Sequence, residues 1–440
     1  MREAIETYVR GLGLDAYLVG GAVRDELLGL DSKDADFLVL GVDTEQLRDA
    51  LAPHGHVEDL VVAGRLVGVR LIPRDETIRE LTRPGIEFAP PRREVSTGPG
   101  RHDFEIVADP SLSVEDDMRR RDFTINAMAR RVADGELFDP LGGRADLDAR
   151  RLRTVSPQSF REDPLRLIRA LRFISQLGFE PDETLLEQMR EEAPSVKLVS
   201  GERVGGGLAA DGMGELSKLL VGAEPARALS IARDTGVLTE LIPEFAAVPD
   251  YLTDHIFAVV QASADAGDNL AVRLAALFHD VGKPIDSSPQ GHAQLGAEIA
   301  GRTMERLRYP TRLVRRVVAI VRGHPFHRQA PLPSAHDLRR YLAEHGDELA
   351  ADITAMRLAD LRGKSLDTSG LETIAAGLER ERANPHRIAD LAVTGDDLIE
   401  LGFTADPALG SVLQALLDAV LEEPERNTRD ELLSRAKALL

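Results

Sequence analysis

The chain has 440 residues, enough for about three domains with ample core, and it contains no cysteine, which excludes disulfides and cysteine-ligated zinc. Its N-terminus, MREAIETYVRGLG, is charged and amphipathic without the apolar run of a secretory signal, and no stretch approaches a membrane span, so a cytoplasmic protein is expected. The formal net charge of −20 argues against a uniformly basic surface, yet exposed charges are screened beyond about 8 Å at physiological salt. Local clusters therefore outweigh the sum: Arg119-Arg120-Arg121, Arg150-Arg151-Arg153, and Arg166 with Arg169 and Arg172. With 4% aromatics and no tryptophan, contacts to a folded RNA backbone fit better than extensive base stacking.

The first informative stretch is residues 18–39, LVGGAVRDELLGLDSKDADFLV. Tyr17-Leu18-Val19 has strand character, Gly20-Gly21 is a turn that lets a ligand approach backbone closely, and residues 22–28 read as a short helix ending at Gly29. A strand, glycine turn and helix present free amides and a positive helix end, where a nucleotide phosphate is stabilised and Arg24 adds a charged contact. Asp34 and Asp36 then enter the apolar run 37–40, and residues i and i+2 of a strand share a face. Two carboxylates about 4 Å apart repel by about 4 kcal/mol at an effective dielectric near 20, so the pair calls for a cation, and acid oxygens suit Mg²⁺ or Mn²⁺. Taken singly, a GG turn or a DxD is most often plain loop; order and spacing give them meaning. Strands are expected over 56–62, 66–72 and 84–89, with Glu87 placed as a candidate third acid, or equally a solvent-facing strand residue. Residues 90–103, PPRREVSTGPGRHD, read as a mobile loop.

GGAVRD followed by KDADF resembles the signature of the class II tRNA nucleotidyltransferase and poly(A) polymerase family, within the polymerase-beta-like superfamily. Several later segments resemble the same family. RRDFTINAMA at 120–129 is similar to its second motif, which implies sugar and triphosphate contacts from Arg121 and Asp122 and an ordering role for Asn126. FDPLGG at 138–143 with Asp146-Leu147 resembles a third motif, expected as a hinge between head and neck. EDPLRLIRALRF at 162–173 is similar to a fourth, in which Asp163 and Arg166 would pair with the base edge of CTP or ATP; Arg169 and Arg172 continue its basic stripe. On residues alone, Asp163 and Arg166 are neighbours on one helix face, and an intrahelical salt bridge is the plainer reading. The loop at 90–103, with Arg92, Arg93 and Glu94, resembles the flexible loop of CCA- and A-adding members. Glu202-Arg203 and Glu215-Leu216 echo a fifth motif, interrupted here by a glycine-rich insert at 205–214 that should break its helix.

From 151 onward strand signals fade. DHIF at 254–257, LFHDVGKP at 277–284, His292, His324 and LADLRGKS at 358–365 resemble an HD-superfamily metal-dependent phosphohydrolase. The resemblance implies His255, His279, Asp280 and Asp360 as ligands of Mn, Ni, Co or Fe, with His292 and His324 as further ligands or phosphate contacts. A lone buried histidine is more often a hydrogen-bonded core residue, and an HD domain kept as scaffold would show the same letters. Residues 369–440 read as an amphipathic helical tail packing on RNA or a partner subunit.

The expected fold is α+β: a polymerase-beta-like nucleotidyltransferase head with a small mixed sheet (1–150), an all-α neck and body (151–245), an HD domain (246–368) and a helical tail (369–440). The expected activity is template-independent addition or repair of the tRNA 3′-CCA end from CTP and ATP. Asp34 and Asp36 would hold two Mg²⁺, Gly20, Gly21, Arg24 and Arg121 the phosphates, and the HD centre would hydrolyse 2′,3′-cyclic or 2′-phosphates. An A-adding enzyme, a poly(A) polymerase, a chain that is chiefly an HD hydrolase, and a non-enzymatic RNA chaperone are the alternatives. Partners are expected to be tRNA, CTP and ATP, without DNA or membrane, for a monomer or homodimer.

Overall fold

A computed structural model describes residues 2–30, 36–62, 65–96, 104–206, 213–325 and 332–439. The chain divides into two compact units, Met1–Pro243 and Glu244–Leu440. Asp34, residues 97–103 of the expected loop and 207–212 of the glycine-rich insert lie outside the described residues.

The first unit is built on β1 (Ala16–Val19), β2 (Asp36–Val39), β3 (Gly55–Val62), β4 (Arg65–Pro73), β5 (Ile86–Ala89), a hairpin of β6 (Arg92–Ser96) and β7 (Phe104–Ala108), then β8 (Ala129–Arg131) and β9 (Leu137–Phe138). All but the hairpin form one mixed sheet in the order β3-β4-β5-β2-β1-β8-β9, in which only the β2–β5 pair is parallel. Central β1 is buried along its whole length, as an all-apolar AYLV run requires, and β2 buries Phe37, Leu38 and Val39 while leaving Asp36 exposed at its start. The sheet edge thus offers a carboxylate above a dry floor, where Phe37 stacks on Phe88 at 5.5 Å. The flanks of the expected loop are instead ladder: β6 and β7 pair from Arg92↔Ala108 to Ser96↔Phe104. REVS and FEIVA carry enough β-branched and aromatic residues to extend the hairpin into a segment that reads as loop from its prolines and glycines.

Beyond Arg151–Leu152, which pairs in parallel with Glu180–Pro181, the described residues of the unit are otherwise helical. The helix Leu165–Leu177 forms its axis, burying Leu167, Ile168, Ala170, Leu171, Phe173 and Ile174, and ends on Gly178 at φ 62°, where a left-handed residue closes a helix at least cost. The interrupted fifth motif is two helices, Gly201–Gly205 and Glu215–Leu220, as its glycines lead one to expect.

The second unit is all helix. Asp250–Asp265, Leu270–Phe278, Pro289–Arg306, Thr311–Gly323 and Asp347–Gly363 pack around one buried polar centre. Their starts are encoded locally: Asn269 accepts from the amides of Ala271 and Val272, and Ser288 caps Gly291 with Pro289 in the first turn. The tail is covered from within the chain. Leu398, Leu416, Val420, Leu421 and Leu432 make their own core, and buried Arg339 donates to the carbonyls of Leu421 and Glu422 at the end of helix Pro407–Glu422. No helix of the described residues is long and apolar enough to cross a membrane.

Candidate active site and metal centre

At the end of β1 the chain reaches Gly20 at φ 70°, and a Cβ placed there would stand 2.6 Å from Nη1 of Arg121. Only glycine admits that backbone and that neighbour together. Helix Gly21–Leu27 follows with no side-chain cap, leaving its first turn to a ligand. Arg24 donates from Nη1 to Asn126 Oδ1 at 2.7 Å, tying the glycine turn to the second motif.

In that second motif, Asp122 is the hub. It is 7% exposed, accepts from Asn126 Nδ2 at 2.9 Å and the Phe123 amide at 2.8 Å, and holds Arg169 through Nε and Nη2 at 2.8 and 2.6 Å. Burial would raise its pKa, but the Arg169 guanidinium, Asn126 and the backbone amide bring it down to about 2. Arg121 pairs with fully buried Asp117 at 2.9 Å, which also takes Arg120, so the arginine run is anchored rather than a solvated stripe. Arg24, Arg169 and Arg172 all lie over the ring of Phe173, at 5.1, 5.6 and 4.3 Å from its centroid. Burial lowers the Arg172 pKa to about 10 despite Glu215, because Arg169 and Arg24 crowd it. Three cations converging on one ring are suited to spread anionic charge.

The third motif is a brace. Asp139 accepts from the amides of Gly143 and Arg144 at 2.6 and 2.9 Å, and a Cβ on Gly143 would meet the Thr124 carbonyl at 2.1 Å. Fully buried Asp146 joins Thr124 Oγ1 at 2.6 Å to Arg151 and Arg153, which clamps the segment carrying Asn126.

The fourth motif departs from expectation. The side chains of Asp163 and Arg166 do not pair, although the Arg166 amide donates to the Asp163 carbonyl at 3.0 Å. Helix Leu165–Leu177 starts only after Pro164, and Asp163 ends the preceding short helix in extended backbone, its side chain accepting from the Leu165 amide at 3.1 Å. Arg203 takes both Asp163 oxygens, at 3.0 and 2.7 Å, while Arg166 turns inward to Ser159, Glu162 and the Arg120 carbonyl. Glu215, from the far side of the insert, holds Arg169 at 3.5 Å and Arg172 at 3.0 Å. The fifth motif thus reaches the fourth despite its interruption.

On the sheet, Asp36 stands in register with Glu87, Glu87 with Arg70, and Arg70 with Glu58, a charged row across β2, β5, β4 and β3. Glu87 accepts from Arg70 Nη2 at 2.5 Å. Two carboxylates side by side on parallel strands supply only hard oxygen donors, the set Mg²⁺ prefers.

In the second unit, five helices deliver the HD residues to one point. His255 lies within Asp250–Asp265, His279 and His324 just past the ends of two helices, His292 in the first turn of Pro289–Arg306, and Asp360 in the last turn of Asp347–Gly363. His255, His279 and Asp280 form one group of metal-ligating geometry and Asp280, His292 and His324 a second, so Asp280 is common to both. The Nε2 of His255 is 3.3 Å from Asp280 and 3.2 Å from Asp360; that of His292 is 3.4 Å from the other oxygen of Asp280. Nδ1 of His279, His292 and His324 lies 2.8, 2.6 and 2.6 Å from the carbonyls of Ala276, Ser288 and Val321. A carbonyl only accepts, so each Nδ1 carries the proton; in neutral rings the Nε2 lone pairs then face carboxylate oxygens. A cation reconciles acceptors so arranged. Without one, a proton does so: burial opposes charge on His279, but Asp280 and Asp360 push its pKa up to about 9, while burial and the charge on His279 hold His324 down to about 3. Burial disfavours the charged carboxylates, yet His279 and His255, with Lys283 on Asp280 and Lys364 on Asp360, keep both well below the usual range. Gly282 is needed beside them, since a Cβ there would meet the His292 carbonyl at 2.4 Å.

Sequence reasoning passed over Asp117, Arg70 and Arg357, the last a buried partner of Asp360. Arg203 was visible only as half of a broken motif.

The chain matches the Poly A polymerase head domain over residues 16–153, the "Probable RNA and SrmB- binding site of polymerase A" over 178–248 and the HD domain over 252–361. It is 34% identical over 435 residues to a Multifunctional CCA protein of Xanthomonas campestris, spanning 92% of this chain and 98% of that one. A Multifunctional CCA protein of Neisseria gonorrhoeae is 38% identical over 342 residues, 73% and 76% of the two chains. In fold it is similar to the Bacillus stearothermophilus CCA-adding enzyme solved with CTP, at TM-score 0.65 and 24% identity over 99% of this chain and 96% of that one. The Thermotoga maritima enzyme solved with tRNA is similar at TM-score 0.58 and 20% identity, over 99% and 94%. With head, RNA-binding body and HD domain in this order, the chain belongs to the tRNA nucleotidyltransferase family of CCA-adding enzymes and poly(A) polymerases, among the members that carry an HD domain.

Proposed function

We propose that the protein adds or repairs the 3′-CCA end of tRNA with CTP and ATP. The observation that carries this reading is the single network from Arg24 through Asn126 and Asp122 to Arg169, Glu215 and Arg172, which joins the glycine turn to the helical body. Asp36, with Asp34 and Glu87, would hold Mg²⁺, which supplies charge neutralisation and an activated 3′-hydroxyl in phosphoryl transfer. The chain's own groups do the rest. The uncapped helix after Gly20-Gly21, with Arg24 and Arg121, binds the triphosphate, and Asp122 and Asn126 hold the sugar side. Asp163 presents two acceptors to a base edge once Arg203 is exchanged for it, and Arg166, fixed by Ser159 and Glu162, orients that turn. A site built on paired donors and acceptors can reject the wrong partner by about 10⁴. Purified protein given tRNA lacking CCA and single nucleotides should incorporate CTP, then ATP. Failure to use CTP points to an A-adding enzyme, and long A tracts to a poly(A) polymerase.

A second activity is favoured by the shared Asp280. The residues fit two divalent ions, one on His255, His279, Asp280 and Asp360 and one on Asp280, His292 and His324. Imidazole and carboxylate donors suit Mn, Ni or Co, which would supply activated water for hydrolysis of a phosphate ester such as a 2′,3′-cyclic or 2′-phosphate. Lys283, which pairs with Asp280, lines the cavity beside His255, where a phosphate would compete for its ammonium.

A further inference from the structure

Beside the HD histidines lies a cavity of about 310 Å³, lined by Pro249, Tyr251, Leu252, His255, Lys283 and Pro284. Its lining combines two chemistries. One is polar, from His255 and from Lys283, which pairs with Asp280; the other is apolar, from Pro249, Leu252, Pro284 and the ring of Tyr251. Tyr251 is 76% exposed, and Ile285, next to Pro284, is 70% exposed; these are the two most exposed large apolar residues among those described. Single exposed apolar residues are ordinary, but the most exposed one among those described lining the cavity beside the HD histidines is not. A phosphate beside His255 and a flat ring against Tyr251 would use both chemistries, and the volume lies at the lower bound of small-molecule sites.

We infer that Tyr251 is the base-stacking residue of the HD centre, the side chain that separates a nucleoside phosphate ester from a base-free one. The inference rests on the hydrolase reading above. Stacking accepts every base, so the centre separates nucleotides from other phosphates while discriminating little among bases. On a 2′,3′-cyclic phosphate, water adds to phosphorus, one ring P–O bond breaks, and the freed ribose oxygen takes the proton.

The test uses the full chain with Mn²⁺, 2′,3′-cyclic CMP and the matching cyclic phosphate of methyl riboside, which has no base. Tyr251→Ala should raise KM for cyclic CMP about tenfold or more, leave kcat and the base-free substrate within about twofold, and Tyr251→Phe should restore the wild-type KM. Equal effects on both substrates, or none on either, overturn the platform while leaving the hydrolase reading intact. No hydrolysis by wild type above the level of Asp280→Ala overturns the hydrolase reading instead. A binding arm then judges the platform without turnover. The chain has five tyrosines and no tryptophan, so its emission is tyrosine emission. Cyclic CMP added to metal-free protein should quench part of it in wild type, and a quench that persists in Tyr251→Ala refutes the stacking.

Discussion

Replacing Asp122 with asparagine removes one charge from the centre of the nucleotide network and little else. The carboxylate is 7% exposed and its pKa is about 2 in the folded protein against the ordinary aspartate value of 3.8, a depressed value. At about 1.36 kcal/mol per unit, ionised Asp122 contributes about 2 kcal/mol. Because the folded pKa is depressed, that contribution is complete above pH 4–5 and is lost as pH falls towards 2. Asp122→Asn should therefore be less stable at pH 5, with Arg169 left without its main partner, and the gap should narrow by about 2 kcal/mol, roughly 30-fold in protection, between pH 5 and pH 2. Hydrogen exchange followed by mass spectrometry on peptides covering residues 118–129 reads this locally, without assuming that a chain of two units unfolds in one step. A gap that stays constant over that range, or protection equal in the two proteins at pH 5, would refute the assignment of Asp122 as the charged hub.

Other outcomes follow from the same contacts. Gly20→Ala forces a left-handed backbone costing about 1 kcal/mol and displaces Arg121, so KM for CTP should rise while far-UV circular dichroism stays unchanged. Asp163→Ala should weaken the choice of CTP over UTP, read as the ratio of kcat/KM values; an unchanged ratio would remove Asp163 from base selection. Asp280→Ala should abolish stoichiometric Mn²⁺ binding measured by equilibrium dialysis while CCA addition persists, whereas Asp36→Ala should do the reverse.

What could be read from the sequence was whatever local rules determine. The strand, glycine turn and helix at 16–27 follow from an apolar run, two glycines and a periodic segment, and the HD residues stand out because histidine beside aspartate is rare in a core. Contacts set by distant partners were not legible. Glu87 was placeable on a strand, but its register with Asp36 and Arg70 depends on which strands adjoin. Asp163 and Arg166 look like a helical pair only until Pro164 fixes where the helix starts. Arg203 and Glu215 were discounted because glycines break their helix, yet two short helices deliver the same side chains as one long one. The tail reads as amphipathic helix, but nothing local reveals that Arg339, far back along the chain, ties one of its helices down.

One consequence concerns where this chain tolerates change. Gly214 returns so close to the point of departure that a Cβ on it would meet the Val204 carbonyl at 2.2 Å and the Gly206 amide at 2.4 Å. Gly206 and Gly214 thus adjoin, and doubling the length of a connection between fixed ends costs about 0.6 kcal/mol. Ion pairs to Asp163 on one side and to Arg169 and Arg172 on the other are made before and after it. An insertion between Gly206 and Gly214, carrying a reporter or an affinity handle, should therefore leave those ion pairs and the far-UV circular dichroism unchanged.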